Sequence, residues 1–154
     1  MNNVSLHTSN MHASLILNSY RRWTGKSLLD GAVEPGTESA ILFHAPIVVL
    51  THGTEPDPVL NYGNQSALEL WEVNREAFIQ TPSRLTAEPM EREQRAAFLK
   101  AVSENGYVDN YTGVRISSTG RRFYILQATV WNLIDDHNVV HGQAAAFRQY
   151  RYIE

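Results

Sequence analysis

Residues 106–153 read GYVDNYTGVRISSTGRRFYILQATVWNLIDDHNVVHGQAAAFRQYRYI, and this stretch decides the fold class. Two short polar segments, SSTG at 117–120 and DDHN at 135–138, divide it into three apolar-rich strand candidates. Short turns rich in Gly, Asn, Asp and Ser join antiparallel neighbours, because a parallel crossover needs a dozen or more residues. The C-terminal part of the chain is therefore predicted to be an antiparallel β-meander.

Helices are predicted immediately upstream of the meander. Residues 89–105 (PMEREQRAAFLKAVSEN) show helical spacing of apolar residues. Pro89 suits the first turn of this helix, and Gly106 suits its end. Residues 65–78 predict one helix or two short ones, because Asn64 stands where an N-cap is expected.

The first part of the chain supplies two more strands and another helix. The segments before and after GTEPDP at 53–58 predict two antiparallel strands, since the prolines mark a turn. Residues 9–29 predict an amphipathic helix, followed by a Gly- and Pro-rich linker. We therefore divide the chain into an N-terminal helix and linker, 1–37, and a domain, 38–154. The helix packs either on this domain or on a partner.

The composition predicts one soluble domain. The chain has 154 residues, of which 43% are hydrophobic, enough for one core and too few for two. No apolar run approaches the ~20 residues of a membrane helix, and the N-terminus shows no secretory cleavage pattern, so a cytoplasmic location is expected. The net charge of −3 supplies no electrostatic surface for nucleic acid.

Several kinds of chemistry are excluded by what the sequence lacks. The chain has no cysteine, which rules out disulfides, thiolate metal ligands and the covalent cysteinyl adduct of flavin photoreceptors. Its six histidines show no HxH or HExxH spacing, and the one HxxxH pair, His137 and His141, begins in a predicted turn rather than on a helix, so no metal site is expected. No GxSxG elbow or serine–histidine–carboxylate pattern occurs. We therefore expect no catalytic residues and no enzymatic activity.

Several phrases, taken in order along the chain, resemble one protein family. They are HGTEPDPVLNYGNQSALELWE at 52–72, TPSRLTAE at 81–88, YTGVRISSTGRRF at 111–123, ATVWN at 128–132 and GQAAAF at 142–147. Together they resemble the bacterial stand-alone MEKHLA-domain proteins, a PAS-like family also found at the C-terminus of certain plant homeodomain-leucine zipper regulators. The resemblance covers residues 38–149. It implies an α+β, PAS-like fold: a five-stranded antiparallel sheet with helices on one face, preceded by the N-terminal amphipathic helix.

The resemblance implies a type of module rather than a reaction. PAS-like domains bind small ligands, or none, between sheet and helices, and many pair through the outer sheet face and an N-terminal helix. The leading interpretation is a stand-alone sensory or small-ligand-binding module that signals as a homodimer or through a partner protein. A ligand-free interaction domain is the alternative, and a small enzyme with a cone-shaped α+β fold is a weaker third interpretation.

The cofactor is left unassigned. A flavin could bind only without a covalent adduct, because cysteine is absent. Haem-binding PAS relatives typically carry the axial histidine on the long helix, and residues 89–105 contain none, so haem is disfavoured. A non-covalent small ligand is compatible with the residues.

Strand alternation divides the central hairpin into two faces, because residues i and i+2 of a strand share a face. With a turn at 117–120, one face carries Tyr111, Arg115, Gln127 and Trp131. The other carries Tyr124, Leu126, Ala128 and Val130. By comparison with flavin-binding PAS relatives, we assign the first face to the cavity; the second is either an outward pairing surface or part of the core.

The predicted ligand-binding residues combine this face with two residues from other elements: Arg115, Gln127, Trp131, Tyr111, Trp71 and His52. Arg115 and Gln127 would be polar groups in an otherwise aromatic pocket. A purely structural interpretation stays open, in which Arg115 forms an ion pair with a helix carboxylate such as Glu72 and Gln127 bonds to backbone. His52 could likewise be a hydrogen-bonded structural histidine.

Overall fold

The first two thirds of the chain form helices and two strands, and the last third forms strands alone. The computed structural model describes residues 9–154, apart from the side chains of residues 89–91. The helices are α1 (Asn10–Thr24), α2 (Glu38–His44), α3 (Gln65–Trp71), α4 (Arg75–Phe78) and α5 (Pro89–Asn105), with a 3₁₀ helix at Ser83–Thr86. The strands are β1 (Val48–His52), β2 (Leu60–Gly63), β3 (Tyr107–Ile116), β4 (Arg122–Ile134), β5 (Val140–Phe147) and β6 (Gln149–Tyr152).

The strands form a single antiparallel sheet with the order β2-β1-β5-β4-β3. The predicted α+β class with an antiparallel sheet is confirmed. A sixth strand, β6, was not predicted and pairs with the first part of β4. The reason is length: β4 has 13 residues and β5 only 8, so β5 alone would leave part of the β4 edge unpaired.

Both predicted turns of the meander are confirmed. Gly120 N donates to the Ser117 carbonyl oxygen at 3.1 Å, which closes the first turn. In the second turn, Asn138 N donates to the Asp135 carbonyl oxygen at 3.0 Å. Asp135 Oδ1 also accepts from the backbone N of His137, an Asx-type contact that favours this turn locally. These contacts arise within a few residues, so the sequence alone could specify them.

Two apolar cores lie on opposite faces of the sheet. The inner face, covered by α3, α4 and α5, carries a cluster that includes Trp71, Phe78, Phe123 and Phe147. The outer face, covered by α1 and α2, carries a second cluster that includes Trp131. The central strands are therefore buried on both sides, as the continuous burial of β1 shows.

The N-terminal helix packs on the sheet of its own chain. Ser19 is fully buried, and its Oγ donates to the Ile134 carbonyl oxygen at 2.9 Å and accepts from Ile134 N at 2.8 Å. Trp23 Nε1 donates to the Asn132 carbonyl oxygen at 3.0 Å. Of the two predicted placements, packing on the domain is the one observed. Residues 1–8 of the predicted segment 1–37 lie outside the described residues, and the boundary at 37 stays a prediction.

None of the described helices has both the length and the apolar character needed to cross a membrane.

Candidate functional site

A small cavity lies between the inner face of the sheet and the helices. Its volume is ≈ 50 Å³. Strands β1, β2, β3, β4 and β5 and helices α3 and α5 contribute to its walls. The lining side chains are mostly apolar, among them Leu50, Leu60, Trp71, Phe98, Ile125, Val130 and Phe147, and the polar members are Thr51, His52, Thr86, Arg95, Arg115 and Gln143. A few polar groups in an apolar enclosure are typical of ligand sites.

A larger groove of ≈ 380 Å³ lies elsewhere, between α1 and the segment that follows it. Its charged residues, Arg21 and Glu38, are exposed or half-buried. Among the described residues the groove holds no buried polar atom without a hydrogen-bond partner. The inner cavity does, and it is therefore the candidate site.

Four of the six predicted site residues lie at the cavity. Arg115, Trp71 and His52 line it directly. Tyr111 borders it: its ring stacks on Phe98 with centroids 3.9 Å apart, and the Arg115 guanidinium lies 5.6 Å from the ring centroid. These side chains come from β3, α3 and β1, so tertiary packing brings together residues that are distant in sequence.

The predicted cavity placement of Gln127 and Trp131 is wrong. Gln127 has φ 52°, a left-handed conformation that interrupts the alternation of β4, and its side chain is exposed. Beyond this bulge every side chain of β4 lies on the face opposite to the one that unbroken alternation predicts. Ala128 and Val130, predicted to lie on the face away from the cavity, therefore lie on the inner side, and Val130 lines the cavity. Trp131 lies in the outer core.

On the outer side of the sheet, Trp131 packs against the N-terminal helix. It is fully buried, and its ring meets Tyr20 of α1 edge-on with centroids 5.0 Å apart. No described atom accepts a hydrogen bond from its Nε1. Trp131 thus helps to seat the N-terminal helix, a role that the unbroken alternation could not reveal.

The alternative pairing of Arg115 with Glu72 does not occur. Glu72 carries φ 59° at the end of α3, and its Oε2 accepts from Ser117 Oγ at 2.7 Å and from Thr119 Oγ1. These hydrogen bonds, first from Thr119 and then from Ser117, lower the pKa of Glu72. The carboxylate is therefore bound to the β3–β4 turn and does not pair with Arg115.

Arg95 is a site residue that the sequence analysis missed. It lies on α5, three, four and seven positions before Phe98, Leu99 and Val102. Those residues are partly or fully buried, so helical spacing places Arg95 on the same, inward side. This spacing was the available signal, but a cation on an apolar helix face is easily taken for a surface residue.

The two arginines bring two positive charges to one cavity. Arg115 is 8% exposed, and its Nη1 donates to the Val114 carbonyl oxygen at 2.8 Å. Arg95 Nη2 donates to Ser83 Oγ at 2.6 Å. Burial, and next the charge of Arg115, lower the pKa of Arg95 to about 10. Among the side chains that the structure describes, no carboxylate lies within 4.0 Å of either guanidinium, so neither has a counter-ion there.

His52 presents a buried ring nitrogen to the site. It is 9% exposed, and its Nδ1 lies 2.9 Å from the Gly53 carbonyl oxygen. A carbonyl oxygen only accepts, so Nδ1 carries the proton and Nε2 is an acceptor in the neutral ring. Burial lowers the pKa of His52; the Gly53 hydrogen bond opposes this, and the charge of Arg95 adds to it. Nε2 has no hydrogen-bond partner among the described residues.

Gln143 is the second site residue that the sequence analysis missed. It pairs with His52 across β1 and β5 and is 9% exposed. Its Nε2 donates to the Leu99 carbonyl oxygen at 3.3 Å and to Asn132 Oδ1 at 3.1 Å. Gln143 also raises the pKa of His52, yet no contact between the two side chains has the distance and angles of a hydrogen bond at His52 Nε2. Gln143 thus ties β5 to α5 beside the cavity.

Trp71 carries the other orphaned polar atom at this cavity. It is 4% exposed and meets Phe123 edge-on with ring centroids 5.2 Å apart. Its indole N–H can only donate, and no described atom accepts from it. Buried polar groups normally have hydrogen-bond partners, so these unpartnered atoms suggest that a ligand supplies them. The cavity offers such a ligand an acceptor at His52 and donors at Trp71 and the two arginines.

Comparison with known proteins gives a family and a fold. The MEKHLA domain model matches residues 10–152. The Arabidopsis thaliana homeobox-leucine zipper proteins ATHB-9 and ATHB-14 are 26% and 27% identical to the chain over 100 residues, which is 65% of its length. The chain spans 12% of the length of each of these plant proteins.

Solved structures show the same fold. A PAS domain from Colwellia psychrerythraea has a TM-score of 0.62 at 13% identity, covering 74% of this chain and 92% of that one. A light-oxygen-voltage domain studied with a flavin analogue has a TM-score of 0.59 at 16% identity, covering 80% and 89%. An RNA-binding light-oxygen-voltage receptor has a TM-score of 0.59 at 17% identity, covering 76% of this chain and 34% of that one.

Proposed function

This chain belongs to the MEKHLA domain family, and from that premise we propose that it is a sensory module that binds a small ligand in the cavity beneath α5. Its PAS-like fold supports the proposal, since the solved domains of this fold include light-oxygen-voltage sensory domains. The observation that carries it is the pair of buried polar atoms, His52 Nε2 and Trp71 Nε1, that have no partner at the cavity wall.

The volume limits what the ligand can be. Ligand pockets for drug-sized molecules measure about 300–1,000 Å³, whereas this cavity measures ≈ 50 Å³. A flavin or haem therefore does not fit the cavity in this form. The proposed ligand is a non-covalent molecule of a few atoms.

Filling the cavity is expected to abolish ligand binding. Ala145→Leu adds bulk at a lining position, whereas Ala97→Leu makes the same change on the exposed surface of α5. Purified protein would be denatured, and the released small molecules identified by mass spectrometry. We expect an equimolar ligand from the wild type and from Ala97→Leu, and at most about a tenth of it from Ala145→Leu, since overpacking excludes the ligand. Absence of any molecule from all three proteins would refute the proposal.

We further propose that the output is association, either of two copies of the chain or with a partner protein. Tyr124 and Leu126 are partly exposed on the outward side of β4, which supports this surface as the contact. Val130, which the sequence analysis placed with them, faces the cavity and takes no part. A domain working only through this surface, without ligand, is the competing function.

Light scattering tests the association. The chain mass is 17.4 kDa, and we expect a wild-type particle of about twice that mass, as in the common two-fold homodimers. Leu126→Asp should give the single-chain mass, because a charge would be buried at the contact. Val139→Asp, at a position that is 51% exposed, is the control and should stay dimeric. A wild-type particle of 17.4 kDa would contradict the homodimer.

A further inference from the structure

We infer that the ligand is a small carboxylate anion held by the guanidinium groups of Arg95 and Arg115. This inference rests on the proposed function and specifies the chemical class that the cavity recognises. Neither arginine is paired with a carboxylate among the described side chains, and both line the cavity, whose other walls are mostly apolar.

The charge balance of the cavity favours an anion. Two guanidinium groups in one enclosure repel each other, and burial adds a desolvation cost for each charge. Glu72, the helix carboxylate considered as a partner for Arg115, does not neutralise this charge, because it is bound to the β3–β4 turn. A bound anion would neutralise part of this charge. An anion is therefore the ligand class that the cavity stabilises most.

The unused hydrogen-bond donors of the cavity also favour an anion. A guanidinium has five N–H donors in a planar fork, and Arg95 and Arg115 each donate one hydrogen bond to a described residue. A carboxylate accepts two parallel hydrogen bonds from such a fork. The Trp71 N–H is one more donor at the wall. Donors thus outnumber acceptors at the cavity, as an anion site requires.

Size and lining select an organic anion over an inorganic one. A cavity of about 150 Å³ accommodates benzene, and the present cavity is ≈ 50 Å³, so the ligand has only a few heavy atoms. Leu50, Phe98 and Ile125 offer apolar surface to a short carbon tail. Inorganic phosphate has no such tail. His52 Nε2 can accept from a ligand hydroxyl, so glycolate, which carries both a carboxylate and a hydroxyl, is a probe for the arginines and His52 together.

The test is calorimetric titration of the full chain in a low-salt buffer that contains neither carboxylate nor phosphate. Glycolate and acetate are the anionic probes, acetamide is the neutral match for acetate, and inorganic phosphate is the competing anion. We expect both carboxylates to bind and acetamide to bind at least about tenfold more weakly, the loss expected for one charge-assisted hydrogen bond. Equal binding of acetamide, or binding of phosphate alone, would overturn the inference.

Matched variants connect the binding to the two arginines. Arg95→Met and Arg115→Met should each weaken carboxylate binding at least about tenfold, while the ligand-free variants melt at the same temperature as the wild type or higher, because an uncompensated buried charge is removed. Arg151→Met removes an exposed arginine and should leave the dissociation constant unchanged. If a methionine variant does not fold, Arg115→Lys keeps the charge without the fork and should still bind more weakly. Unchanged binding in the arginine variants would overturn the inference.

The two failures can be told apart. A neutral molecule released from the native protein would overturn the carboxylate inference and leave the proposed ligand-binding function standing. No released molecule, together with no binding of any probe, would overturn both.

Discussion

Replacing Asn64 by alanine is expected to destabilise the domain by about 4 kcal/mol, because several buried backbone groups lose their hydrogen-bond partner at once. Asn64 is fully buried. Its Oδ1 accepts from Val49 N at 3.1 Å and from Ala67 N at 3.2 Å. Its Nδ2 donates to the carbonyl oxygens of Leu42 at 3.1 Å and Ile47 at 2.7 Å. One side chain thus joins α2, β1 and α3.

The chain contains a matched control for this variant. Asn74 is also an N-cap, but it is exposed and its Oδ1 accepts from a single donor, Ala77 N at 2.8 Å. Asn74→Ala should therefore cost about 1 kcal/mol, the usual value of a lost N-cap. Urea denaturation followed by circular dichroism measures both variants. Equal losses would show that Asn64 acts as a helix cap only and that its contacts to α2 and β1 contribute nothing.

Replacing Gly142 by alanine is expected to cost about 4 kcal/mol, the sum of backbone strain and a steric clash. Gly142 has φ +142°, which L-residues rarely adopt, and a Cβ there would lie 2.0 Å from the His52 carbonyl oxygen. The contact is with a backbone atom, which cannot rotate away as a side chain can. The end of β1 would have to move away from β5, and with it the His52 ring at the cavity. The same variant should therefore weaken ligand binding.

A variant at Gly120 is the control that separates backbone strain from the steric clash. Gly120 also has a left-handed φ, +89°, but a Cβ there would meet nothing within 4 Å. Gly120→Ala should cost about 1–2 kcal/mol from backbone strain alone and leave ligand binding unchanged. The two variants are compared by urea denaturation and by titration with the same probe. If Gly142→Ala loses no more stability than Gly120→Ala, the contact with His52 is not the constraint that we describe.

The parts of the fold that the sequence predicted are the local ones. The turns at 117–120 and 135–138, and the N-cap at Asn64, depend on residues a few positions apart. The contacts of Asn64 to Leu42 and Ile47 are different, since they cross from one element to others. A sequence pattern therefore predicts the N-cap at Asn64 but not its contacts to other elements.

The candidate site was predicted in part for the same reason. Arg115, Trp71 and His52 were found because their strands and helix have clear patterns and because a resemblance supplied the cavity face. Gln127 and Trp131 were misplaced because a single left-handed residue shifts the register of β4. Nothing in the local sequence marks Gln127 as a bulge, because the bulge depends on how β4 is paired along its length.

The sequence by itself determined the α+β class, the meander, and the absence of every chemistry that needs cysteine. It did so because turn residues, strand alternation and composition act locally or on the whole chain. The tertiary structure alone decided that Arg95 and Arg115 share one cavity, that Glu72 does not neutralise them, and that the cavity holds only a few atoms. Proximity, charge compensation and volume are properties of packed side chains, and no spacing in a linear sequence records them.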